Sequence, residues 1–243
     1  MKKHFIFLAS VLVGFTMVTA HGQPGGPPSP SFDGAMAKLF GDNTGFSATM
    51  ELHLAQPSGE PMTMTGKMAF LDGKNRFEMD MSTMQGGHIP PQALARMKQM
   101  GMGKMTMIAR PDKDVNFMLY PDMKSYTSMA LNETNTPASA YKSESSKLGE
   151  ETIDGHNCVK NKVVVTGPDG IAHESIVWNA TDLKQFPVKI QITAKEGQDM
   201  VMIFKEVKLD KPEDAQFDPP ADFKKYDDMM SLMMRRAKGA PPQ

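Results

Sequence analysis

The sequence predicts a mainly β fold in which a long antiparallel sheet is accompanied by a few short helices. Apolar and polar residues alternate with a period of two through most of the chain, which is the pattern of half-buried strands. Short turn signals such as Asp72-Gly73 join neighbouring runs and favour hairpins. Helical spacing is confined to three stretches. The fold class is therefore mainly β (α+β), with about ten strands.

The first twenty residues have the three parts of an export signal. Lys2 and Lys3 precede an apolar stretch from Phe5 to Val18, and Ala20 ends a small-residue cleavage pattern. The apolar stretch is too short for a comfortable membrane span, and no later segment reaches the roughly 20 apolar residues that one needs. We therefore expect a soluble protein without an integral membrane span, exported to the periplasm or the outside of the cell after cleavage near Ala20.

The remaining chain is expected to contain one folded domain at 32–238. Residues 21–31 read HGQPGGPPSPS, a composition that predicts a flexible lead-in, and residues 239–243 predict a disordered tail. Phe32 to Phe40 has the pattern of a short amphipathic helix.

Alternation then marks the strands in order. The runs lie at 46–54, 62–70, 75–81, 105–109, 115–119, 124–129, 159–165, 171–178, 188–193 and 200–204. Two helices interrupt or follow them, at Pro90–Met100 and Asp227–Lys238, and the polar stretch Asn132–Ser146 is expected to be a loop. A long antiparallel sheet has to bury one of its two faces, and few helices are available to cover it. We therefore expect either that the sheet curls on itself or that the helices pack at the open side of the curved sheet.

Charge and cysteine content limit the classes of function. The net charge is −1, and loss of Lys2 and Lys3 would make it −3, which argues against nucleic acid as a partner because phosphate contacts need a basic face. Cys158 is the single cysteine, so no intramolecular disulfide forms, and its apolar neighbours predict a small buried residue.

Catalytic signatures are missing from the sequence. It contains no H-E-x-x-H, G-x-S-x-G, P-loop or dinucleotide fingerprint. We therefore expect a protein that is not an enzyme and that needs no cofactor.

Five phrases together resemble the periplasmic lipoprotein-carrier superfamily of the LolA/LolB type, and especially a secreted, methionine-rich branch of it. They are GKMAFLDGKNRFEM, IARPDKDVNFMLYPDMKSY, GEETIDGHNCVKNKV, VWNATDLKQFPVKI and FDPPADF. The resemblance implies an open antiparallel half-barrel with helices plugging the mouth, and a hydrophobic cavity that holds acyl chains of lipoproteins in transit.

Methionine content supports a cavity of this kind independently. Of the 243 residues, 24 are methionine, a flexible and polarizable side chain that is common on surfaces accepting ligands of varied shape. The expected ligand is an apolar small molecule, a lipid or a lipoprotein acyl chain, carried by a monomer that meets a transient envelope partner. The residues expected to line the cavity are Met50, Leu52, Met64, Met68, Phe70, Phe77, Met79, Met107, Phe117, Leu119, Trp178, Ile190, Ile192 and Met202.

Two alternatives remain open. Thioethers select Cu(I) or Ag(I), and Met79, Met81, Met84 and His88 form the best-placed group for a soft metal. The methionines could instead fill the core of a structural envelope protein, because most apolar stripes are core.

Overall fold

One twelve-stranded sheet dominates the computed structural model, which describes residues 34–55, 60–86, 90–131, 136–193 and 199–237. These residues all belong to the compact unit Phe32–Gln243. The expected export signal, lead-in and tail lie outside the described residues, and so does His88.

The strands follow one another along the chain with short connections. They are β1 (Gly45–Leu54), β2 (Met62–Leu71), β3 (Lys74–Asp80), β4 (Lys104–Arg110), β5 (Val115–Tyr120), β6 (Ser125–Ala130), β7 (Lys142–Ile153), β8 (His156–Thr166), β9 (Ala172–Ala180), β10 (Phe186–Ile192), β11 (Met200–Lys208) and β12 (Lys224–Tyr226). Their order in the sheet is β12-β6-β5-β4-β3-β2-β1-β11-β10-β9-β8-β7. All pairings are antiparallel except the one between β12 and β6.

This sheet is an open half-barrel that does not close, as the sequence predicted. It has two strands more than the ten expected. One of them, β12, has only three residues, too few to show alternation. The other, β7, begins at Lys142, inside the stretch that was expected to be a loop, so that expectation was wrong for its last residues.

The reason for the missed strand is its place at the edge of the sheet. Nearly every residue of β7 is exposed, whichever face of the sheet its side chain is on. The sequence KSESSKLGEETI therefore shows no alternation of apolar and polar residues. Apolar and polar residues alternate in a strand that is buried on one face only. A strand that is exposed to solvent on both faces therefore shows no alternation.

Three helices accompany the sheet, and their places match the predicted ones to within about two residues. They are α1 (Gly34–Lys38), α2 (Pro91–Gln99) and α3 (Met229–Ala237). Each adds side chains to the large core, among them Met36 from α1, Met97 from α2 and Leu232 from α3. Among the described helices none is long and apolar enough to cross a membrane.

The two faces of the sheet bury different side chains. We call the face that carries the large core the inner face; it includes Leu52, Met64 and Ile190. The outer face has a small core of its own, in which Ile108 and Leu119 pack against Phe217 of the short turn Asp214–Phe217.

A buried arginine fastens this C-terminal turn to the outer side of the sheet. The side chain of Arg110, at the end of β4, is only 4% exposed. Its Nε and Nη2 donate to the two carboxylate oxygens of Asp112 at 2.8 and 2.7 Å, and its Nη1 lies 2.9 Å from Oδ2 of Asp218. Lys74 forms a further ion pair with Asp214. The hydrogen bonds from Arg110 and Lys74 lower the pKa of Asp112 and Asp214 below the usual carboxyl value.

Replacing this arginine should make the protein less stable at neutral pH and less sensitive to acid. The pKa of Asp112 is lower in the folded protein than the ordinary 3.8, so its ion pair stabilises the fold above that value and is lost as the pH falls through the lowered value. We expect Arg110→Met to reduce the free energy of unfolding by about 1–2 kcal/mol at pH 7. The difference from the parent should shrink between about pH 5 and pH 3 in urea titrations.

The matched control is Lys142→Met, which removes a positive charge from the exposed edge strand. A destabilisation by Arg110→Met that stays constant from pH 7 to pH 3 would mean that the arginine contributes packing alone.

Candidate functional site

Cross-strand register brings most of the predicted cavity residues together on the inner face. Leu52 on β1 lies opposite Met64 on β2 and Met202 on β11, and Met202 lies opposite Ile190 on β10. These four side chains form one row across the sheet, and each is at most 1% exposed. Side chains that face one another across strands share a face, so the row is continuous.

A second row crosses the other half of the sheet. Met68 on β2 lies opposite Phe77, Phe77 lies opposite Met107 on β4, and Met107 lies opposite Met118 on β5. Eleven of the fourteen predicted residues lie on the inner face: Met50, Leu52, Met64, Met68, Phe70, Phe77, Met79, Met107, Ile190, Ile192 and Met202.

Phe117 and Leu119 lie on the outer face instead. The register of β4 and β5 pairs Met107 with Met118, so Phe117 falls opposite Ile108 in the small outer core. Its ring also contacts Tyr126, with centroids 5.8 Å apart. The sequence could not distinguish the two faces here because β5 carries apolar residues on both.

Trp178 is a buried member of the large core, but it is not part of the row formed by Leu52, Met202 and Ile190. Its cross-strand partners are Lys160 and Lys189, whose ammonium groups lie 4.8 and 4.4 Å from the ring centroid. The indole Nε1 donates to Oε2 of Glu151 at 2.7 Å. Trp178 is thus buried beneath charged side chains, where cation–π contacts and one hydrogen bond hold it.

Aromatic side chains fill one end of the inner face, at which β1 begins and β2 ends. The rings of Phe40 and Phe46 stack with centroids 4.8 Å apart, and Phe46 meets Phe186 edge-on at 4.9 Å. We call this region the phenylalanine end; its members are Phe40, Phe46, Phe70, Phe186 and Phe204. Each is at most 5% exposed, so this end is closely packed.

Methionines collect towards the opposite strand ends. We call this region the methionine end; its members on the strands and their turns are Met62, Met64, Met79, Met81, Met84, Met102, Met105, Met107, Met118, Met123 and Met200. Helix α2, which connects β3 to β4 there, adds Leu94 and Met97. Eight methionines of the inner core are only partly buried: Met97, Met102, Met107, Met118, Met123, Met200, Met229 and Met233.

The middle of the inner face is packed in this structure. Met50, Leu52 and Met202 are at most 2% exposed, so their side chains are covered by protein atoms and border no open space for a hydrocarbon chain. A groove of about 560 Å³ does lie at the methionine end, between α2 and the start of β4. Met81 and Leu94 line it, together with Asp80, Lys98 and Lys104.

The alternative soft-metal group is divided between described and undescribed residues. Met79, Met81 and Met84 are buried in the inner core at 3–9% exposure, and His88 is outside the described residues. Within the described ranges, no three His, Cys, Asp or Glu side chains are grouped so that they could hold a metal ion. The Cu(I) hypothesis remains a prediction.

Cys158 is buried, as predicted, at 2% exposure. Its Sγ–H donates to the carbonyl oxygen of His156 at 3.3 Å. Burial raises the pKa of the thiol, so the reactive thiolate is disfavoured.

The solved structures similar to this chain include one that is described as a LolA superfamily protein. A LolA superfamily protein from Nitrosomonas europaea is 11% identical over 76% of this chain and 96% of its own, with a TM-score of 0.43. The lipoprotein LppX from Mycobacterium tuberculosis is 12% identical over 73% and 94%, with a TM-score of 0.37. LprF from Mycobacterium bovis is 11% identical over 82% and 100%, also at 0.37. No protein-family model matches the sequence, and no curated protein matches it significantly.

A glycine in the middle of β2 sets the packing between the two rows. A Cβ at Gly66 would lie 2.5 Å from the carbonyl oxygen of Glu78 and 2.6 Å from the ring of Phe77. We expect Gly66→Ala to lower the free energy of unfolding by about 1–3 kcal/mol, because backbone and ring must both shift. Gly149→Ala on β7 is the control, since no atom lies within 4 Å of its Cβ position. Equal urea midpoints for the two variants would contradict this assignment.

Proposed function

We propose that this chain is an exported, non-catalytic binding protein that holds a lipid chain or another long apolar molecule at the methionine end of its inner face. The observation that carries the proposal is the separation of the two ends. Tightly packed phenylalanines occupy one end, whereas buried methionines alternate with half-buried ones such as Met107 and Met118 at the other.

The methionine end suits an apolar ligand of variable shape. A thioether side chain has three rotatable bonds and no branches, so it can move aside or close around a guest at little cost. Each methylene that leaves water contributes about 0.8 kcal/mol, and a ten-carbon chain therefore offers about 8 kcal/mol before the entropic cost of association.

Access to the inner face is best beside α2. This helix has no fully buried residue, and it contacts the inner core through Leu94 and Met97 alone. The groove of about 560 Å³ lies directly beneath it. In the proposal, a ligand enters this groove and displaces half-buried methionines from the neighbouring strands.

The phenylalanine end would keep the half-barrel folded while the other end rearranges. Its rings make stacked and edge-on contacts across β1, β2, β10 and β11, and such contacts resist deformation. The protein can then lose and regain a ligand without unfolding. We further propose that it works as a monomer in the cell envelope, where a transient partner loads or unloads it.

The first experiment is to identify what the protein carries. Protein purified from its own host without detergent should release acyl chains on organic extraction, and native mass spectrometry should show the matching mass increment. Stoichiometric copper without acyl chains would favour the soft-metal hypothesis instead. A protein that carries neither and also fails to bind decanol would be a structural one.

A charge placed among the methionines should abolish binding of an uncharged chain. Met118 is half-buried on the inner face, opposite Met107. We expect Met118→Glu to weaken decanol binding at least tenfold in calorimetric titrations, because a carboxylate would have to lose water beside the hydrocarbon.

Ser128→Glu is the matched control, since Ser128 is also half-buried but lies on the outer face opposite Phe117. It should leave decanol affinity unchanged. Unaltered binding by a folded Met118→Glu variant would remove the methionine end as the site.

A further inference from the structure

Helix α3 carries apolar side chains on two of its sides. Leu232 is 4% exposed and lies in the inner core, where Met229 and Met233 pack beside it. Met230 and Met234 lie one turn apart on another side of the helix, and they are 64% and 56% exposed. The helix therefore has a second apolar surface that the fold does not cover.

These two methionines differ from the other exposed apolar residues. Six large apolar side chains are exposed among the described residues: Met100, Met129, Leu148, Ile171, Met230 and Met234. The two on α3 are the most exposed of the six, and they alone belong to the same helix or strand. Single exposed apolar residues are ordinary on protein surfaces, whereas neighbouring ones indicate an interaction surface.

Helix α2 shows how a helix of this protein faces water. Its exposed side chains include Gln92, Arg96 and Lys98, and its apolar residues Leu94 and Met97 pack against the inner core. The outer side of α2 is thus mostly polar, as is usual for a helix on the surface of a globular protein. The outer side of α3 is not.

Positive charge lies beside the exposed methionines. Arg235 belongs to the last turn of α3, and among the described residues no carboxylate lies within 4.0 Å of its guanidinium group. In the sequence, Arg236 and Lys238 follow it. The acidic residues of this segment are at the other end of the helix, where the Asp228 carboxylate accepts the backbone N–H of Ser231 at 2.6 Å and caps the first turn.

Apolar side chains beside a cation without a carboxylate partner match the surface of an anionic lipid bilayer, in which hydrocarbon lies beneath a layer of phosphates. We propose that α3 docks this protein on such a surface, with Met230 and Met234 in the acyl boundary and Arg235 against lipid phosphates. Because α3 also covers part of the inner core through Leu232, docking would hold the inner core next to lipid. The proposal does not depend on the ligand proposed for the methionine end.

Vesicle sedimentation tests the role of the methionines. The mature protein should sediment with vesicles of phosphatidylcholine and phosphatidylglycerol, and much less with phosphatidylcholine alone. We expect the double variant Met230→Ser, Met234→Ser to lower the partition coefficient on the mixed vesicles at least tenfold, because the hydrophobic gain of both thioethers is lost. The matched control, Met129→Ser with Leu148→Ser, removes two similarly exposed side chains from β6 and β7 and should leave the partition coefficient unchanged.

Replacing the arginine tests the role of charge. Arg235→Gln should weaken binding to the mixed vesicles about three- to fivefold and leave binding to phosphatidylcholine unchanged. Arg96→Gln, which removes an exposed arginine from α2, should change neither.

A fluorescent label locates the contact on the protein. An environment-sensitive dye on Met234→Cys should shift to shorter emission wavelengths when mixed vesicles are added, and the same dye on Leu148→Cys should not. The native Cys158 is buried, so the dye reacts with the introduced thiol.

Three outcomes would overturn the proposal. They are failure of the mature protein to sediment with the mixed vesicles, equal losses in the two double variants, and a concentration-dependent dimer that disappears in the Met230→Ser, Met234→Ser variant. The dimer would assign the surface to a second copy of the chain. Decanol binding should be unchanged in that variant, and vesicle binding should be unchanged in Met118→Glu, so loss of one site is distinguishable from loss of the other.

Discussion

The register of the hairpins is the constraint on which the rest of this structure depends. Side chains alternate between faces along a strand, so a shift of one residue would turn every methionine row outward. With Leu52 opposite both Met64 and Met202, the apolar rows of four strands fall on one face and merge. The short turns fix this register, and Asp72 and Gly73 adopt the positive φ angles, 48° and 92°, that a tight hairpin needs.

Given that register, the chemistry of the two ends follows from residue type. Aromatic rings fill fixed volumes and hold their neighbours in defined orientations, whereas thioether chains fill irregular space without defining it. In this chain the phenylalanines lie at one end of the strands and the methionines collect at the other end, on the same face of one sheet. A single sheet can in this way be stiff at one end and deformable at the other.

Sequence reasoning reached the architecture because alternation is strong wherever one face is dry. Alternation together with turn residues predicted the hairpins and placed eleven residues that lie on the inner face, and helical spacing predicted the three helices. Alternation failed where the signal is symmetric. Because β5 has apolar residues on both faces, Phe117 and Leu119 were assigned to the wrong face. Because β7 is exposed to solvent on both faces, it was not recognised as a strand. The lysines that cover the ring of Trp178 come from two other strands, so the sequence alone could not show these cation–π contacts.

The solvent-exposed edge strand β7 also affects the tendency of this protein to aggregate at high concentration. An open sheet leaves backbone donors and acceptors unpaired along its border, and identical copies could add to one another there without limit. β7 carries two lysines and three glutamates, and its pairing with β8 is interrupted by an irregularity between Lys147 and Gly149. Charge repulsion and the local kink both discourage stacking of one molecule on the next. The border of the half-barrel is thereby protected against fibril growth, and the sheet can stay unclosed.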